Sequence, residues 1–487
     1  MPMLNNVRNN LGFLVLVLSI ISCEKPENKL PNIVYINIDD LGYKDLGFMG
    51  SEYYETPNLD KFATEGMFFT QGYASAANCA PSRACLMSGM NTPRHHIYTV
   101  GNPDRGDPRT RRIIPVANEV TLPDSIITIA EMLQPKGYVT ATMGKWHLGE
   151  DPTSQGYDIN LAGDHRGHPG RDGYFSPYNV ANLEDGPDGE YLTDRLTNEA
   201  ISFLEKHRDS TFFLYLPYYT VHTPLMGKED LIQKYKQKKG IDGQDNPVYG
   251  AMVTAMDQNV GRLLSALDSL NLTDNTLVIF TSDNGGIRSV SSQEPLRAGK
   301  GSYYEGGIRV PLVISWPGKI TPGTENNTPV VNMDFFPTLA AITNSPVSQV
   351  KDGVDISPLL SGEAIADRDL VWHFPIYLQA YNPKEDDGRD PLFRTRPGTV
   401  VRRGDWKLHY YYEDEGVELY NLAEDVGERN NLAAKNPGKV AELKQAMQEW
   451  IKNMEAETPS KTNPEFDSLY LQEREQEAMS TEKEESL

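Results

Sequence analysis

The chain has 487 residues, and its composition of 39% hydrophobic and 23% charged residues is ordinary for a soluble globular protein. This length accommodates one large domain and a smaller one. Lys and Arg number 46 against 68 Asp and Glu, and the resulting net charge of −22 argues against nucleic acid as a partner. The three cysteines are too few for a disulfide framework, and their spacing does not match a zinc site.

The first residues predict export. Arg8 precedes an apolar run at 11–21 that is too short for a membrane span but typical of a signal-peptide core. The run ends in Ser22-Cys23, which resembles the lipobox of bacterial lipoproteins. That resemblance implies removal of residues 1–22, a lipid anchor on Cys23 as the only membrane attachment, and a polar tether at 23–30. The protein would then face the periplasm or be anchored at the outer membrane or cell surface. An ordinary signal peptide cleaved nearby is the alternative.

Strands and helices alternate over most of the chain. Apolar patterns predict strands at 32–38, 138–143, 212–216 and 277–280, and helices at 57–62, 81–88, 124–133, 191–207 and 252–267. This alternation indicates an α/β fold with a large mixed, mostly parallel sheet flanked by helices. Polar residues follow each of these strands, at 39–40, 145–147, 222 and 283–284. Because ligands bind at the carboxyl ends of parallel strands, we expect one shared site.

Beyond about residue 371 the pattern changes. Short antiparallel strands are predicted within 398–412 and at 418–422, followed by a helix at 437–454. We therefore expect a main domain at 31–370 and a smaller C-terminal subdomain, an antiparallel sheet plus a helix, at 371–458. Residues 459–487 are charged and have little apolar pattern, which predicts a loosely ordered tail.

The string C-A-P-S-R at 79–83 is the stretch of the chain that says most about function. Pro81 suits the first turn of a helix and Gly89 its end, which places Cys79 just before a helix N-terminus, where backbone N–H groups favour an anion. Arg83 lies one turn further and can reach the same anion. A buried structural thiol beside a surface arginine is the simpler alternative. A disulfide between Cys79 and Cys85 is conceivable in an oxidising compartment.

The longer string at 79–89 resembles the signature of the type I, formylglycine-dependent sulfatases of the alkaline-phosphatase superfamily. The resemblance implies an alkaline-phosphatase-like fold. It also implies that Cys79 is oxidised to formylglycine by a formylglycine-generating enzyme or an anaerobic sulfatase-maturing enzyme, and that the aldehyde hydrate is the nucleophile. The strings at 403–408 and 418–420 are similar to the smaller C-terminal subdomain of sulfatases.

Four residues carry oxygens of the kind that hard divalent cations prefer: Asp39, Asp40, Asp283 and Asn284. Alone, such pairs are weak signals, because Asp and Asn are common in turns. The family resemblance implies that these four residues and the modified Cys79 bind calcium. Magnesium or manganese would fit the same ligands.

Further strings match family blocks. Lys145 and His147 lie in G-K-W-H-L-G, His222 lies in H-T-P after a strand, and Lys300 lies in the block at 299–311. The resemblance assigns Arg83, Lys145 and Lys300 to the sulfuryl oxygens. It assigns His147 to the base and His222 to the leaving-group acid, which we expect to act near its ordinary pKa.

The resemblance predicts a sulfatase, a sulfuric ester hydrolase acting on a sulfated polysaccharide or oligosaccharide. A phosphonate monoester or phosphodiester hydrolase of the same superfamily, or a non-catalytic lipoprotein that binds sulfated glycans, are the alternatives. The loops at 163–172 and 379–394 are expected to set specificity. In this region Tyr377, Tyr381, Phe393 and Arg394 could contact a glycan or form a packed hinge, whereas Glu305 and Arg309 are expected to hold a loop.

Overall fold

The computed structural model describes residues 29–170 and 172–480, so the predicted signal peptide, Cys23 and most of the tether lie outside the described residues. The described residues from Pro31 onwards form a single compact unit. Within the described ranges, no helix combines the length and the apolar character needed to cross a membrane.

The described strands, in chain order, are β1 (Asn32–Ile38), β2 (Met67–Phe69), β3 (Gly72–Tyr73), β4 (Val139–Met143), β5 (Ile159–Leu161), β6 (Phe212–Pro217), β7 (Thr276–Ser282), β8 (Leu312–Ser315), β9 (Thr324–Asn326), β10 (Val330–Val331), β11 (Asp369–Phe374), β12 (Leu378–Gln379), β13 (Phe393–Thr395), β14 (Gly398–Arg403), β15 (Trp406–Tyr411) and β16 (Val417–Asn421). The main sheet has the order β5-β4-β6-β1-β7-β8-β2-β9. Strand β1 lies at its centre and pairs in parallel with β6 and β7. Only the pairs of β8 with β7 and with β2 are antiparallel in this sheet, which confirms the predicted mixed, mostly parallel sheet.

The described α-helices are α1 (Pro57–Glu65), α2 (Cys79–Ser88), α3 (Thr92–His95), α4 (Ile129–Leu133), α5 (Leu192–Lys206), α6 (Glu229–Lys236), α7 (Pro247–Ser269), α8 (Glu305–Ile308), α9 (Phe335–Thr343), α10 (Ser357–Leu360), α11 (Pro437–Met454) and α12 (Ser468–Ser480). Short 3₁₀ turns lie at Gly47–Met49, Pro108–Thr110, Gln134–Lys136, Pro152–Gln155, Thr273–Asn275 and Asn332–Asp334. Helix α4 is shorter than the predicted 124–133, because the side chain of Thr128 and that of Glu131 form a capping box that starts the helix there.

Helices cover both faces of the main sheet because successive side chains of a strand point to opposite faces. Val34 and Ile36 of β1 belong to one apolar core together with Leu196 of α5 and Met256 of α7. The intervening Tyr35 points the other way, and its ring centroid lies 5.3 Å from that of Phe335 on α9. This layering places the residues that follow the strands at the ends of the sheet and not on its covered faces.

The small antiparallel sheet of β11, β14, β15 and β16 packs between α11 and the main domain. On one face Leu408 forms a core with Leu443 of α11. On the other face Trp372 and Val400 belong to a core with Tyr303 of the main domain. The predicted boundary at 370–371 falls inside β11, and the small sheet is continuous in packing with the catalytic part of the chain.

The prediction of a loosely ordered tail is wrong for Ser468–Ser480, which forms α12. The helix packs on the segment around residue 109: the Arg109 guanidinium carbon lies 3.5 Å from the centroid of the Tyr470 ring. Leu471 is buried against this surface, and the Asp467 N–H donates to the Arg109 carbonyl at 2.9 Å. Helix α12 buries few apolar side chains, so its sequence shows no apolar stripe with helical spacing. Residues 481–487 lie outside the described part of the chain.

A matched pair of leucines tests the docking of α12. Leu471 is 4% exposed and Leu469 is 71% exposed. We expect Leu471→Ala to lower the free energy of unfolding by about 2 kcal/mol through loss of buried apolar surface. Leu469→Ala should change it by no more than about 0.5 kcal/mol. Urea denaturation followed by circular dichroism measures both, and equal effects would show that α12 is not docked.

Candidate active site

The acidic residues of the site are delivered by the central strands. Asp39 and Asp40 follow β1, and Asp283 follows β7, the strand that pairs with β1 in parallel. Asp40 has a φ of 62°, in the left-handed region that Asp tolerates better than most residues. Its N–H donates to Asp283 Oδ1 at 3.2 Å. All three carboxylates are at most 2% exposed.

Each of these carboxylates has its own cationic partner. Lys145 Nζ lies 2.7 Å from Asp39 Oδ2, and Lys300 Nζ lies 2.7 Å from Asp40 Oδ2. The third cation is Arg83, whose Nε and Nη2 lie 2.9 Å and 2.8 Å from Asp283 Oδ2. Buried charges are expensive to desolvate, and such pairing is what makes them tolerable. The three positive charges and the three negative charges therefore cancel within the protein itself.

Cys79 lies at the centre of this cluster. It is the first residue of α2, with Asn78 as the N-cap, so it lies inside the helix start rather than just before it as predicted. Its Sγ is 3.6 Å from Asp39 Oδ1 and 3.9 Å from Asp40 Oδ1. Burial, together with Asp39 and Asp283, raises the pKa of the Cys79 thiol to about 12, although Lys145 and Lys300 oppose this. The unmodified thiol is thus protonated at neutral pH and a poor nucleophile. Cys79 and Cys85 are both free, so the conceivable disulfide between them is not formed.

The two histidines flank the cluster. His147 follows β4 with a φ of 65°, and a Cβ on Gly167 would lie 2.4 Å from its Cε1, so the loop at 163–170 closes directly over the ring. Among the described residues, His147 Nδ1 is buried without a hydrogen-bond partner. Burial and then the charges of Lys145, Arg83 and Lys300 hold the pKa of His147 well below its usual value.

His222 follows β6 and faces Asp40. Its Nδ1 donates to the Thr223 carbonyl at 2.6 Å, which leaves Nε2 directed to the site, 3.6 Å from Asp40 Oδ2. Burial and then Lys300 lower the pKa of His222 well below its usual value, although Asp40 opposes the shift. The expectation that His222 titrates near its ordinary pKa is therefore wrong for the protein without substrate.

The donor set fits a divalent cation. Ligand atoms of Asp39, Asp40, Cys79 and His222 all lie within 4.8 Å of one another. Asn284 donates through Nδ2 to Asp40 Oδ1 at 2.8 Å, and its buried Oδ1 has no hydrogen-bond partner within the described ranges, as a metal ligand requires. Carboxylate and amide oxygens dominate this set, which is the chemistry that hard cations select.

The structure brings all ten predicted site residues together: Asp39, Asp40, Cys79, Arg83, Lys145, His147, His222, Asp283, Asn284 and Lys300. Their individual roles stay predictions. Sequence reasoning missed Tyr215, whose hydroxyl accepts from Arg83 Nη1 at 3.4 Å and from Asn37 Nδ2 at 3.1 Å. A tyrosine within an apolar strand carries no signal of such a role.

Other residues that the sequence singled out lie around this cluster. Glu305 is buried and bonded to Lys407 Nζ at 2.9 Å, and it pairs with Arg309 at 3.4 Å, so both residues hold the loop as expected. Tyr377 and Phe393 are buried, with their ring centroids 5.4 Å apart, whereas Tyr381 is exposed.

Known proteins share both the fold and the sequence pattern of this chain. The solved structure of Ps i-CgsB in complex with k-i-k-neocarrahexaose matches with a TM-score of 0.73 at 28% identity, over 93% of this chain and 98% of that chain, and the fold is alkaline-phosphatase-like. The sulfatase family model matches residues 31–345, and that of the N-sulphoglucosamine sulphohydrolase C-terminal region matches residues 299–457. The chain belongs to the sulfatase family, and the predicted family is confirmed.

Two relatives resemble most of the chain. A sulfatase of Formosa agariphila is 35% identical over 491 residues, which cover 85% of this chain and 86% of the relative. Human arylsulfatase A is 31% identical over 477 residues, which cover 86% of each protein. These matches confirm that the protein is a sulfuric ester hydrolase. The family implies a metal ion and a formylglycine made from the cysteine.

Removal of divalent cations tests the metal site. We expect chelation to abolish activity, while the protein stays folded because Lys145, Lys300 and Arg83 still neutralise the carboxylates. The melting temperature should fall, since a ligand present at 100-fold its dissociation constant stabilises the native state by about 2.7 kcal/mol. Activity and thermal unfolding are measured before and after chelation and again after adding calcium. Unchanged activity after exhaustive chelation would show that the site does not use a metal ion.

Proposed function

We propose that this sulfatase removes sulfate from a sulfated glycan with a formylglycine derived from Cys79 and a bound calcium ion. The observation that carries this proposal is the convergence of Arg83, Lys145 and Lys300 on Cys79 at the start of α2. Because these cations are already balanced by three carboxylates, a divalent cation adds two positive charges to a neutral site. The site then favours an anionic ester in surroundings that are otherwise acidic overall.

Ester cleavage needs charge stabilisation, a nucleophile and a bound cation, and different residues would supply each. The cations are positioned to hold the sulfuryl oxygens, where negative charge must be stabilised in the transition state. A formylglycine supplies a hydrated aldehyde as a nucleophile that the protonated Cys79 thiol cannot match. Asp39, Asp40, Asp283 and Asn284 would hold the cation, which supplies Lewis-acid stabilisation of charge on oxygen.

The histidines carry the protons. His222 Nδ1 is held by the Thr223 carbonyl, so Nε2 is the nitrogen that can donate to a leaving oxygen. The negative charge of a bound sulfate ester favours the protonated ring, which compensates for the low pKa of His222 in the protein without substrate. His147 is neutral, with its Nδ1 free of other partners among the described residues, as a general base requires.

A sulfated polysaccharide or oligosaccharide is the substrate class that we propose. Support comes from the similar structure of Ps i-CgsB, which was solved with an oligosaccharide, k-i-k-neocarrahexaose. It also comes from a canine N-acetylgalactosamine-6-sulfatase, which is 31% identical over 70% of this chain. The loops at 163–170 and 379–394 contact His147 and Lys300, respectively, so they border the position of the sugar.

The proposal includes export of the protein and enzymatic maturation of Cys79. The lipobox-like string before Cys23 supports an exported lipoprotein that is anchored only through its lipid. A formylglycine-generating or anaerobic sulfatase-maturing enzyme is the partner that the nucleophile requires. Because Cys79 is 2% exposed, such an enzyme would have to act before this region folds or on an opened form.

The two described cysteines offer a matched test of the nucleophile. We expect Cys79→Ala to reduce sulfate release below about 1% while the fold survives, because the side chain is a reactant of small volume. Cys85→Ala removes a buried thiol of the same helix and should retain most activity, because Cys85 contacts His95 rather than the site. Assays on both variants are paired with mass spectrometry of the peptide at 79–83. A wild-type peptide without the mass loss of formylglycine, in a fully active protein, would contradict the proposal.

Leaving-group dependence tests His222. A general acid contributes about 10²- to 10⁴-fold when the leaving oxygen is strongly basic and much less for an activated phenol. We expect His222→Ala to lower kcat/KM in that range on a sulfated sugar and far less on nitrophenyl sulfate. Arg83→Ala and Lys145→Ala should impair both substrates alike, because they hold oxygens common to both. If His222→Ala lowers kcat/KM equally on the two substrates, His222 is not the leaving-group acid and is a sulfate ligand or a structural residue instead.

A further inference from the structure

A second basic cluster lies beside the catalytic one. Arg394 of β13 is 5% exposed, and its Nη1 donates to the Lys300 carbonyl at 3.0 Å. Gly301 leaves room for this approach, since a Cβ there would lie 2.6 Å from Arg394 Nη1. The guanidinium of Arg394 therefore adjoins the backbone that presents a catalytic lysine.

Arg105 joins Arg394 from a different part of the chain. Its segment is held in place because the Tyr377 N–H donates to the Pro103 carbonyl at 2.8 Å, and a Cβ on Gly106 would lie 2.8 Å from the Phe393 ring. Burial and then the charge of Arg394 lower the pKa of Arg105, while Tyr381 and Cys79 act in the opposite direction. Because Arg105 precedes Gly106 and Arg394 follows Phe393 in the chain, the contact between Gly106 and the Phe393 ring brings the two arginines into the same region.

Neither arginine is neutralised by the protein. The hydrogen bonds of Arg394 go to the carbonyls of Gln379 and Lys300, and that of Arg105 goes to the Val100 carbonyl. Within the described ranges neither guanidinium forms an ion pair with a carboxylate.

The nearest acidic groups are already engaged. Asp104, next to Arg105 in the chain, pairs with Arg111 instead at 3.6 Å. Asp386 accepts hydrogen bonds from the backbone N–H groups of Tyr381 and Asn382. Burial raises the pKa of Asp386, and Arg394 opposes this only from beyond ion-pair distance. Two like charges held together without a counter-ion are unfavourable until an anion binds.

An exposed aromatic ring completes the cluster. Tyr381 is 50% exposed, and its ring centroid lies 3.3 Å from the guanidinium carbon of Arg394. Stacking of this kind fixes the orientation of the guanidinium fork. It also leaves a half-exposed aromatic ring beside Arg394.

We propose that Arg105 and Arg394, the outer arginine pair, form an anion subsite for a second sulfate or carboxylate of the glycan, distinct from the ester that is cleaved. This inference rests on the proposed function and names its substrate class: glycans that carry at least two anionic groups close together. The outer arginine pair contributes to binding and not to the chemistry of the cleaved ester.

Arg105→Gln is the main test variant, because Arg394 also supports the Lys300 backbone. Arg112→Gln is the matched control: it removes the same charge from the same loop, but its exposed guanidinium lies 5.1 Å from the Phe466 ring. Arg105→Lys retains the charge and should restore part of the effect. Circular dichroism checks that all three variants fold.

Turnover is measured on matched monosulfated and disulfated monosaccharides and disaccharides, including neocarrabioses, with 4-nitrophenyl sulfate as a probe that carries no second anion. We expect Arg105→Gln to raise KM on the disulfated sugars by about 10-fold or more, as loss of a charge-assisted hydrogen bond predicts. The KM on 4-nitrophenyl sulfate should change by less than about 2-fold. Equal loss on both classes would mean that Arg105 supports the catalytic site, which would overturn the subsite.

Binding to the Cys79→Ala protein, measured by calorimetry, separates this inference from the proposed function. The disulfated member of a pair should bind more tightly than the monosulfated one, and Arg105→Gln should remove that difference. If no substrate is turned over but the difference persists, the proposed function fails and the subsite stands. If no disulfated sugar binds, or each pair binds equally, the subsite is wrong. A monosulfated, uronate-containing chondroitin disaccharide that binds as the disulfated sugars do would show that a carboxylate serves as the second anion.

Discussion

Three carboxylates and three cationic side chains are buried together at one edge of the main sheet, and the remaining features of the site depend on their pairing. Asp39, Asp40 and Asp283 would be too costly to bury as free charges. Lys145, Lys300 and Arg83 make their burial tolerable and place three positive groups around Cys79. The same ion pairs thus stabilise the fold of the strand ends and prepare the protein for an anionic ester.

This pairing requires a parallel sheet with β1 at its centre. Because β6 and β7 flank β1 in parallel, the residues that follow all three strands leave the sheet at the same edge. Backbone bonds fix these exits: the Asp39 N–H donates to the Thr220 carbonyl and the Asp283 N–H to the Ile38 carbonyl, each at 3.0 Å. A sheet with β1 reversed would separate the carboxylates from their cations.

The C-terminal subdomain is part of the site and not an attachment to it. Lys407 of β15 pairs with Glu305, which lies in the same block at 299–311 as Lys300, and Arg394 of β13 donates to the Lys300 carbonyl. Arg394 therefore ties the C-terminal subdomain to the backbone that carries Lys300. The small sheet also packs against the main domain, because Trp372 and Val400 share an apolar core with Tyr303.

The sequence by itself determined the α/β class, because strands and helices alternate along it, and the family, because short strings such as 79–83 and 144–149 resemble family motifs. It also named the candidate site residues, since parallel strands place the residues that follow them at one edge. The tertiary structure alone decided which cation pairs with which carboxylate, that burial lowers the pKa of His222, and that residues 468–480 form α12. It alone brought Arg105 beside Arg394. Burial and long-range contacts depend on how distant segments meet, and local pattern does not encode that meeting.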